Sequence, residues 1–306
     1  LMLGVHLLYN TLISGTRKGI KEKGAIVSGV MSFLMGLSYI IKKLTGINPG
    51  KVFFKPVLKQ ANISTLRVAI CGGGPLASSV FKTYNAMGIN FIQGYGLTET
   101  SPIIALNPLE KFKIESVGRS FEPYAQIKIL NPDGDGIGEI AAKGPMVMKG
   151  YYKMPEETAK MFTEDGWFKT GDLGKIDSEY YVTLCGRAKN MIVTSGGKNV
   201  YPEEIEDAFQ LCDDIQQIVV QGYTTKEDET SEEIEALIYP SDSAYEALGQ
   251  KREEDFNSAQ INQRIQNEVS KVNKTLQPYA RITRITILEN PLEMTTTKKI
   301  KRNYKK

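Results

Sequence analysis

Two glycine-bearing turns about twenty residues apart constrain this chain more than any other feature. Leu66 to Cys71 is a short apolar run that stops at Gly72-Gly73-Gly74-Pro75, after which Leu76, Val80, Tyr84 and Met87 recur at helical spacing. Asn90 to Gln93 then reads as a second strand entering Gly94-Tyr95-Gly96. A strand, helix, strand order of this length implies a parallel pair, since parallel neighbours need a crossover and a helix supplies it. Ligands on such sheets bind beyond the carboxyl ends of the strands, where both glycine turns would lie.

The texture changes from Ala125 onward. Ile127-Lys128-Ile129-Leu130, the turn Asn131-Pro132-Asp133-Gly134 and Ile137 to Ala142 read as an antiparallel hairpin, and a second hairpin runs from Gly174 through Tyr181 to Leu184 into Gly186-Arg187. At 306 residues the chain exceeds one ordinary hydrophobic core. We place a boundary there, giving residues 1–186 and 187–306. The second part carries its own alternation: a helix from Pro202, strands near 215–221 and 234–239, a late helix with Ile261, Ile265, Val269 and Val272 on one stripe, and a strand. The class expected is α/β with a β-rich subdomain, followed by a small α+β domain.

Composition removes several functions. A net charge of +3 argues against a global nucleic-acid surface, although Lys298 to Lys306 hold six basic side chains. Cys71, Cys185 and Cys212 have neither disulfide nor metal-ligand spacing, which suits a reducing cytoplasm. His6 is the single histidine, so chemistry rests on carboxylates, lysine, arginine and backbone donors. The start at Leu1 does not read as a signal peptide. The most apolar stretch, Ile26 to Ile41, reads as a buried helix, with a surface meeting lipid or an acyl chain as the competing account; peripheral membrane contact belongs to that second account.

Tyr95-Gly96-Leu97-Thr98-Glu99-Thr100-Ser101-Pro102 concentrates the chemistry. A tyrosine face can stack on a purine, Thr98 can donate to a phosphate oxygen, and Glu99 can hold Mg2+, which prefers hard oxygen ligands. An ordinary Gly- and Thr-rich turn reads the same way on spacing alone. This segment nevertheless resembles a signature of the adenylate-forming, AMP-binding superfamily, and Gly72 to Leu76, Thr170-Gly171-Asp172 and Gly186-Arg187-Ala188-Lys189 follow in that family's order.

The resemblance implies the C-terminal part of a large adenylation domain followed by a small mobile domain. It implies that Gly73, Gly74 and Pro75 lie on the adenine side, that Tyr95, Gly96 and Thr98 meet the nucleotide, and that Asp172 and Arg187 reach the ribose. Near the C-terminus Thr295-Thr296-Thr297-Lys298-Lys299-Ile300-Lys301-Arg302 resembles the segment bearing the catalytic lysine, with Lys298 where glycine is usual and a disordered basic tail as the competing reading; Lys299 is then the catalytic lysine, beside Thr98 and Glu99. Lys189 stands at the hinge position, and Gly196, in Ser195-Gly196-Gly197-Lys198, would let a pantetheine arm pass, a β-turn being the plainer reading. Trp167 would wall the acyl or nucleotide pocket or simply be buried. No Ser/Thr-Gly-rich segment ending in Lys-Gly for the ATP phosphates is found, and in relatives it precedes the region matched here, so the chain reads as a fragment that lacks stabilisation for leaving pyrophosphate. The implied reaction joins a fatty, long-chain acid to coenzyme A through acyl-AMP, with ATP, Mg2+ and coenzyme A as the cofactors. A ligase that loads a carrier-protein thiol, or a silent nucleotide- or acyl-binding module, are the competing readings.

Overall fold

The computed structural model describes residues 1–74, 76–224, 232–295 and 299–302, with the backbone alone at Lys21. Pro75 and Lys298 lie outside the described residues. The chain divides into two compact units, Leu1–Ala188 and Lys189–Lys306.

Unit 1 opens with β1 (Met2–Gly4), α1 (His6–Lys21) and α2 (Ala25–Thr45), then the short α3 (Gly50–Phe53) and α4 (Lys55–Gln60). The strand, helix, strand expected from the glycine turns follows as β2 (Val68–Cys71), α5 (Ser78–Ala86) and β3 (Asn90–Gly96). β1, β2 and β3 are parallel neighbours, and β4 (Ile103–Leu106) and β5 (Arg119–Ser120) extend the sheet antiparallel beyond β3. The core under it is aromatic: Tyr84 and Phe91 stack at 4.7 Å between ring centroids, and Tyr9 meets Phe91 edge-on at 4.8 Å.

The β-rich part is a four-stranded antiparallel sheet of β6 (Gln126–Leu130), β7 (Gly138–Lys143), β8 (Phe168–Ile176) and β9 (Val182–Arg187), with α6 (Pro155–Lys160) between β7 and β8. The turn predicted at Asn131 to Gly134 closes on the Asp133 carboxylate, which accepts from the amides of Asp135 and Ile137. The two sheets are joined by a bridge in which the Val182 amide donates to Gly118 and the Val117 amide to Val182. Ile104, Val117, Ile140 and Val182 pack as one buried cluster around Tyr95.

Unit 2 contains the hairpin β10 (Ile192–Val193) and β11 (Asn199–Val200), α7 (Pro202–Asp207), and a sheet of β12 (Ile215–Tyr223), β13 (Glu233–Pro240) and β14 (Arg284–Ile287), with α8 (Asp242–Glu246), α9 (Arg252–Asp255) and α10 (Ala259–Asn273) around it. The predicted stripe holds: Ile261, Ile265 and Val269 are buried against Val220, Ala236 and Ile238.

The expectation of a buried helix over Ile26 to Ile41 is overturned. α2 is 21 residues long, and its buried side chains are Ser38 and Lys42 rather than its apolar ones. The Ser38 hydroxyl donates to the Ala86 carbonyl at 2.7 Å, and the Lys42 amine to Asn85 and Asn90 at 2.6 and 2.9 Å. Those polar groups at the end of α5 and the start of β3 need partners once covered, so they select the polar face of α2 and turn its apolar face outward.

Candidate functional site

The glycine turn after β2 and the loop after β3 end two adjacent parallel strands, and a Cβ on Gly72 would lie 3.7 Å from the Gly94 carbonyl. Gly73 has φ +81°, and the His6 ring occupies the space where a Gly74 side chain would begin. A side chain at Gly74 would therefore collide with His6, and the turn itself lies beyond the strand ends, the location in which such sheets bind ligands. Gly96 has a different reason for being glycine. A Cβ there would lie 1.6 Å from the Pro102 carbonyl oxygen, because the chain doubles back through β4.

The loop divides its hydroxyls between two tasks. Thr98, Glu99 and Thr100 form a short 3-10 turn in which Thr100 is fully buried, accepting from the Leu97 amide and donating to the Pro102 carbonyl. Thr98 is left exposed and Glu99 half-buried. The Glu99 carboxylate accepts from the Tyr151 hydroxyl at 3.0 Å, and its backbone carbonyl accepts from the Met148 amide at 2.7 Å. Tyr151 escaped the sequence reading, since nothing local ties it to a residue 52 positions earlier.

Asp172 stands on β8 directly opposite Arg187 on β9, so sheet register alone pairs them. Arg187 Nε lies 2.8 Å from Asp172 Oδ1, and its Nη1 donates to the Thr170 carbonyl at 3.2 Å. Gly171 takes φ +71°, the left-handed region that favours glycine, beside that guanidinium, whose Nη1 would be in ordinary contact with a Cβ at 3.6 Å. The other carboxylate oxygen, Oδ2, accepts from the Tyr95 hydroxyl at 2.6 Å. Tyr95 is 7% exposed, and burial, then the Asp172 charge, push its phenol well above the usual range, so it remains a donor.

Tyr95, Asp172 and Arg187 thus converge. The ring packs in the core around Ile104 and Val182, and the contact the geometry shows is made by its hydroxyl, a link between residues 77 apart that no spacing rule could supply. Each carboxylate oxygen offers about two lone-pair directions, so Asp172 keeps acceptor capacity after serving Tyr95 and Arg187. Its side chain is 12% exposed. That suits an acceptor for a pair of hydroxyls arriving at a restricted opening.

Among the described residues no cluster of three or more His, Cys, Asp or Glu side chains forms a metal cage. Mg2+ commonly keeps several waters and takes one or two carboxylates plus substrate phosphates, so the single half-buried carboxylate of Glu99 fits such an ion. Trp167 lies under two cations instead, with Lys128 Nζ 4.4 Å and Lys143 Nζ 5.7 Å from its ring centroid.

In unit 2, Lys189 is exposed in a short 3-10 turn at the start of the unit. Gly196 and Gly197 occupy the turn between β10 and β11, closed by the Gly197 amide on the Thr194 carbonyl. Gly197 needs its φ of +67°, whereas a Cβ on Gly196 would meet nothing within 4 Å. Lys299 is exposed beside Thr295: the Thr295 amide donates to the Lys299 carbonyl at 2.7 Å and the Lys299 amide to the Thr295 hydroxyl at 3.1 Å. Three residues further on, Arg302 makes two 2.6 Å contacts to the Glu206 carboxylate on α7 and donates to the Val220 carbonyl. The lysine-bearing segment is therefore anchored in the body of unit 2.

Comparison with known proteins bears on the family. Residues 9–152 match the model for AMP-binding enzymes, and residues 189–305 that for the AMP-binding enzyme C-terminal domain. A chloroplastic long-chain-fatty-acid–[acyl-carrier-protein] ligase of Arabidopsis thaliana is 32% identical over 269 residues, covering 83% of this chain and 36% of the relative. A long-chain-fatty-acid–CoA ligase of Mycobacterium bovis is 39% identical over 165 residues, or 54% of this chain and 26% of that one. Relatives with other acids include a feruloyl-CoA synthase of Amycolatopsis, 33% identical over 62% of this chain and 39% of its own length. The chain thus spans between 26% and 39% of the length of these curated relatives. Among solved structures, ATP-bound MatB of Rhodopseudomonas palustris covers 82% of this chain and 48% of its own, at 27% identity and a TM-score of 0.60. The A-PCP didomain of the Segniliparus rugosus carboxylic acid reductase, in complex with AMP, reaches a TM-score of 0.72 over 98% of this chain and 39% of its own at 18% identity, a likeness of fold alone.

Proposed function

The chain belongs to the AMP-binding enzyme family, and on that premise we propose that it forms the nucleotide-side and C-terminal part of an acid–thiol ligase that converts a long-chain fatty acid to acyl-AMP and then to acyl-CoA. The observation that carries this is Asp172, held on both oxygens by Tyr95 and Arg187 and opening to solvent only narrowly. In this reading it accepts from both ribose hydroxyls, and the tyrosine and arginine fix its orientation before the nucleotide arrives.

The first step forms a bond between a carboxylate oxygen and the α-phosphorus and breaks the bond to pyrophosphate. The Gly73 and Gly74 backbone flanks the adenine, Thr98 donates to a phosphate oxygen, and Glu99, steadied by Tyr151, would hold Mg2+, which supplies charge neutralisation on the phosphates. The Lys299 ammonium neutralises charge building between the acyl oxygen and the α-phosphate. In the second step a thiolate attacks the acyl carbon and AMP leaves; Lys189 is the hinge, and the bare Gly196 turn gives the pantetheine arm passage.

One observation favours a second acceptor: the Arabidopsis relative, aligned over 83% of this chain, is named for an acyl-carrier-protein thiol. Both readings share the adenylation step. The test is fatty-acid-dependent exchange of pyrophosphate into ATP by the complete gene product, followed by thioester formation with coenzyme A and with a holo carrier protein. Palmitate should support exchange at least about tenfold better than acetate or ferulate, a margin that burying several methylenes readily supplies. Binding of a non-hydrolysable acyl-AMP mimic without exchange for any acid would instead identify a silent module.

A further inference from the structure

α2 presents an outward face that the proposed ligase chemistry leaves unused. Ile26, Val30, Phe33, Leu37, Ile40 and Leu44 follow one another at intervals of four, three, four, three and four residues, a single unbroken stripe. All six are exposed, Ile26 at 84%, Phe33 at 70% and Leu44 at 79%. A contiguous apolar strip of this length on a folded surface marks an interaction site.

Its surroundings say what kind. The first 67 residues carry ten Lys and Arg side chains against one acid, Glu22, although the whole chain is only +3. Exposed lysines bracket the stripe: Lys18 and Lys23 before α2, Lys43 in its last turn, and Lys55 and Lys59 just beyond. We propose that α2 docks this protein on an anionic lipid bilayer, its stripe entering the interface while the lysines at its two ends meet lipid phosphates. Long lysine stems reach headgroups while the helix body stays among the acyl chains. α2 is long and apolar enough to cross a bilayer. Ser38 and Lys42 forbid that, because their bonds to Ala86, Asn85 and Asn90 tie the opposite face to α5 and β3. The helix lies on the membrane with the folded unit behind it.

An environment-sensitive fluorophore on Phe33→Cys, in the complete gene product with its other accessible cysteines changed to serine, reads the stripe directly and needs no turnover. Emission should shift to the blue on vesicles of phosphatidylglycerol and phosphatidylcholine, stay unshifted on phosphatidylcholine alone, and return in about 1 M salt. Lys43→Glu with Lys55→Glu, both at exposed sites, should weaken binding to the mixed vesicles at least about tenfold. Blue emission before vesicles are added overturns the proposal: if it depends on protein concentration a second copy covers the stripe, and if not another segment of the same polypeptide does. No shift on anionic vesicles, or an equal shift on neutral ones, overturns it as well.

Discussion

Asp172 shows how much a single side chain's meaning depends on partners distant in sequence. The resemblance brought Asp172 and Arg187 to one ribose, but their direct pairing was not read, because the hairpin was begun at Gly174 and the register that sets them opposite shifts between Leu173 and Gly174. Nor was the role of the Tyr95 hydroxyl, because an aromatic beside two glycines is read as a stacking face and the fold spends its polar end on a carboxylate 77 residues away. Tyr95→Phe keeps the ring and removes that donor. It should cost about 1–2 kcal/mol in urea unfolding and weaken nucleotide binding through a less constrained Asp172; unchanged values in both would mean the bond contributes nothing.

Elements obey the same logic, and two glycines separate fold from function. Gly96→Ala must push a Cβ into the Pro102 carbonyl, so the variant should unfold or lose roughly 3 kcal/mol or more. Gly196→Ala meets no atom and should melt like the wild type; a selective loss in the thioester step would then report the passing arm, and unaltered kinetics would remove Gly196 from the site. The helix of α2 was legible but its burial was misjudged, because an apolar stretch does not say which way its face turns. What turned it were the buried Asn85 amide on α5 and the half-buried Asn90 amide on β3 awaiting Lys42, whose amine is lowered to about 8 by burial. Between that value and 10.5 the unfolded chain holds the proton and the folded one does not, so this lysine's contribution to stability rises with pH across that window. Urea midpoints at pH 7.5 and pH 10 should differ in that sense less for Lys42→Met than for the wild type; identical pH trends would contradict it.

For the whole molecule, the alternation of glycine turns and hairpins conveyed the α/β class and the change of texture near Ala125, and a common motif order conveyed the family. Side-chain anchoring was invisible. Arg302, read as the end of the catalytic-lysine segment with no partner of its own, closes on Glu206 and so fixes the segment that carries Lys299. Arg302→Ala leaves a covered carboxylate without its cation and should destabilise unit 2 by about 3–5 kcal/mol. Lys299→Ala should leave melting unchanged, abolish adenylation and spare thioester formation from supplied acyl-AMP; equal loss of both half-reactions would count against its role. If Tyr95, Asp172 and Arg187 build a nucleotide site, titration calorimetry of a non-hydrolysable acyl-AMP mimic into the complete wild-type protein and Asp172→Asn will separate the two proteins. The variant should fold normally and bind at least about tenfold more weakly, since it loses a charged acceptor for two hydroxyls. Equal affinity in a folded variant would contradict that reading.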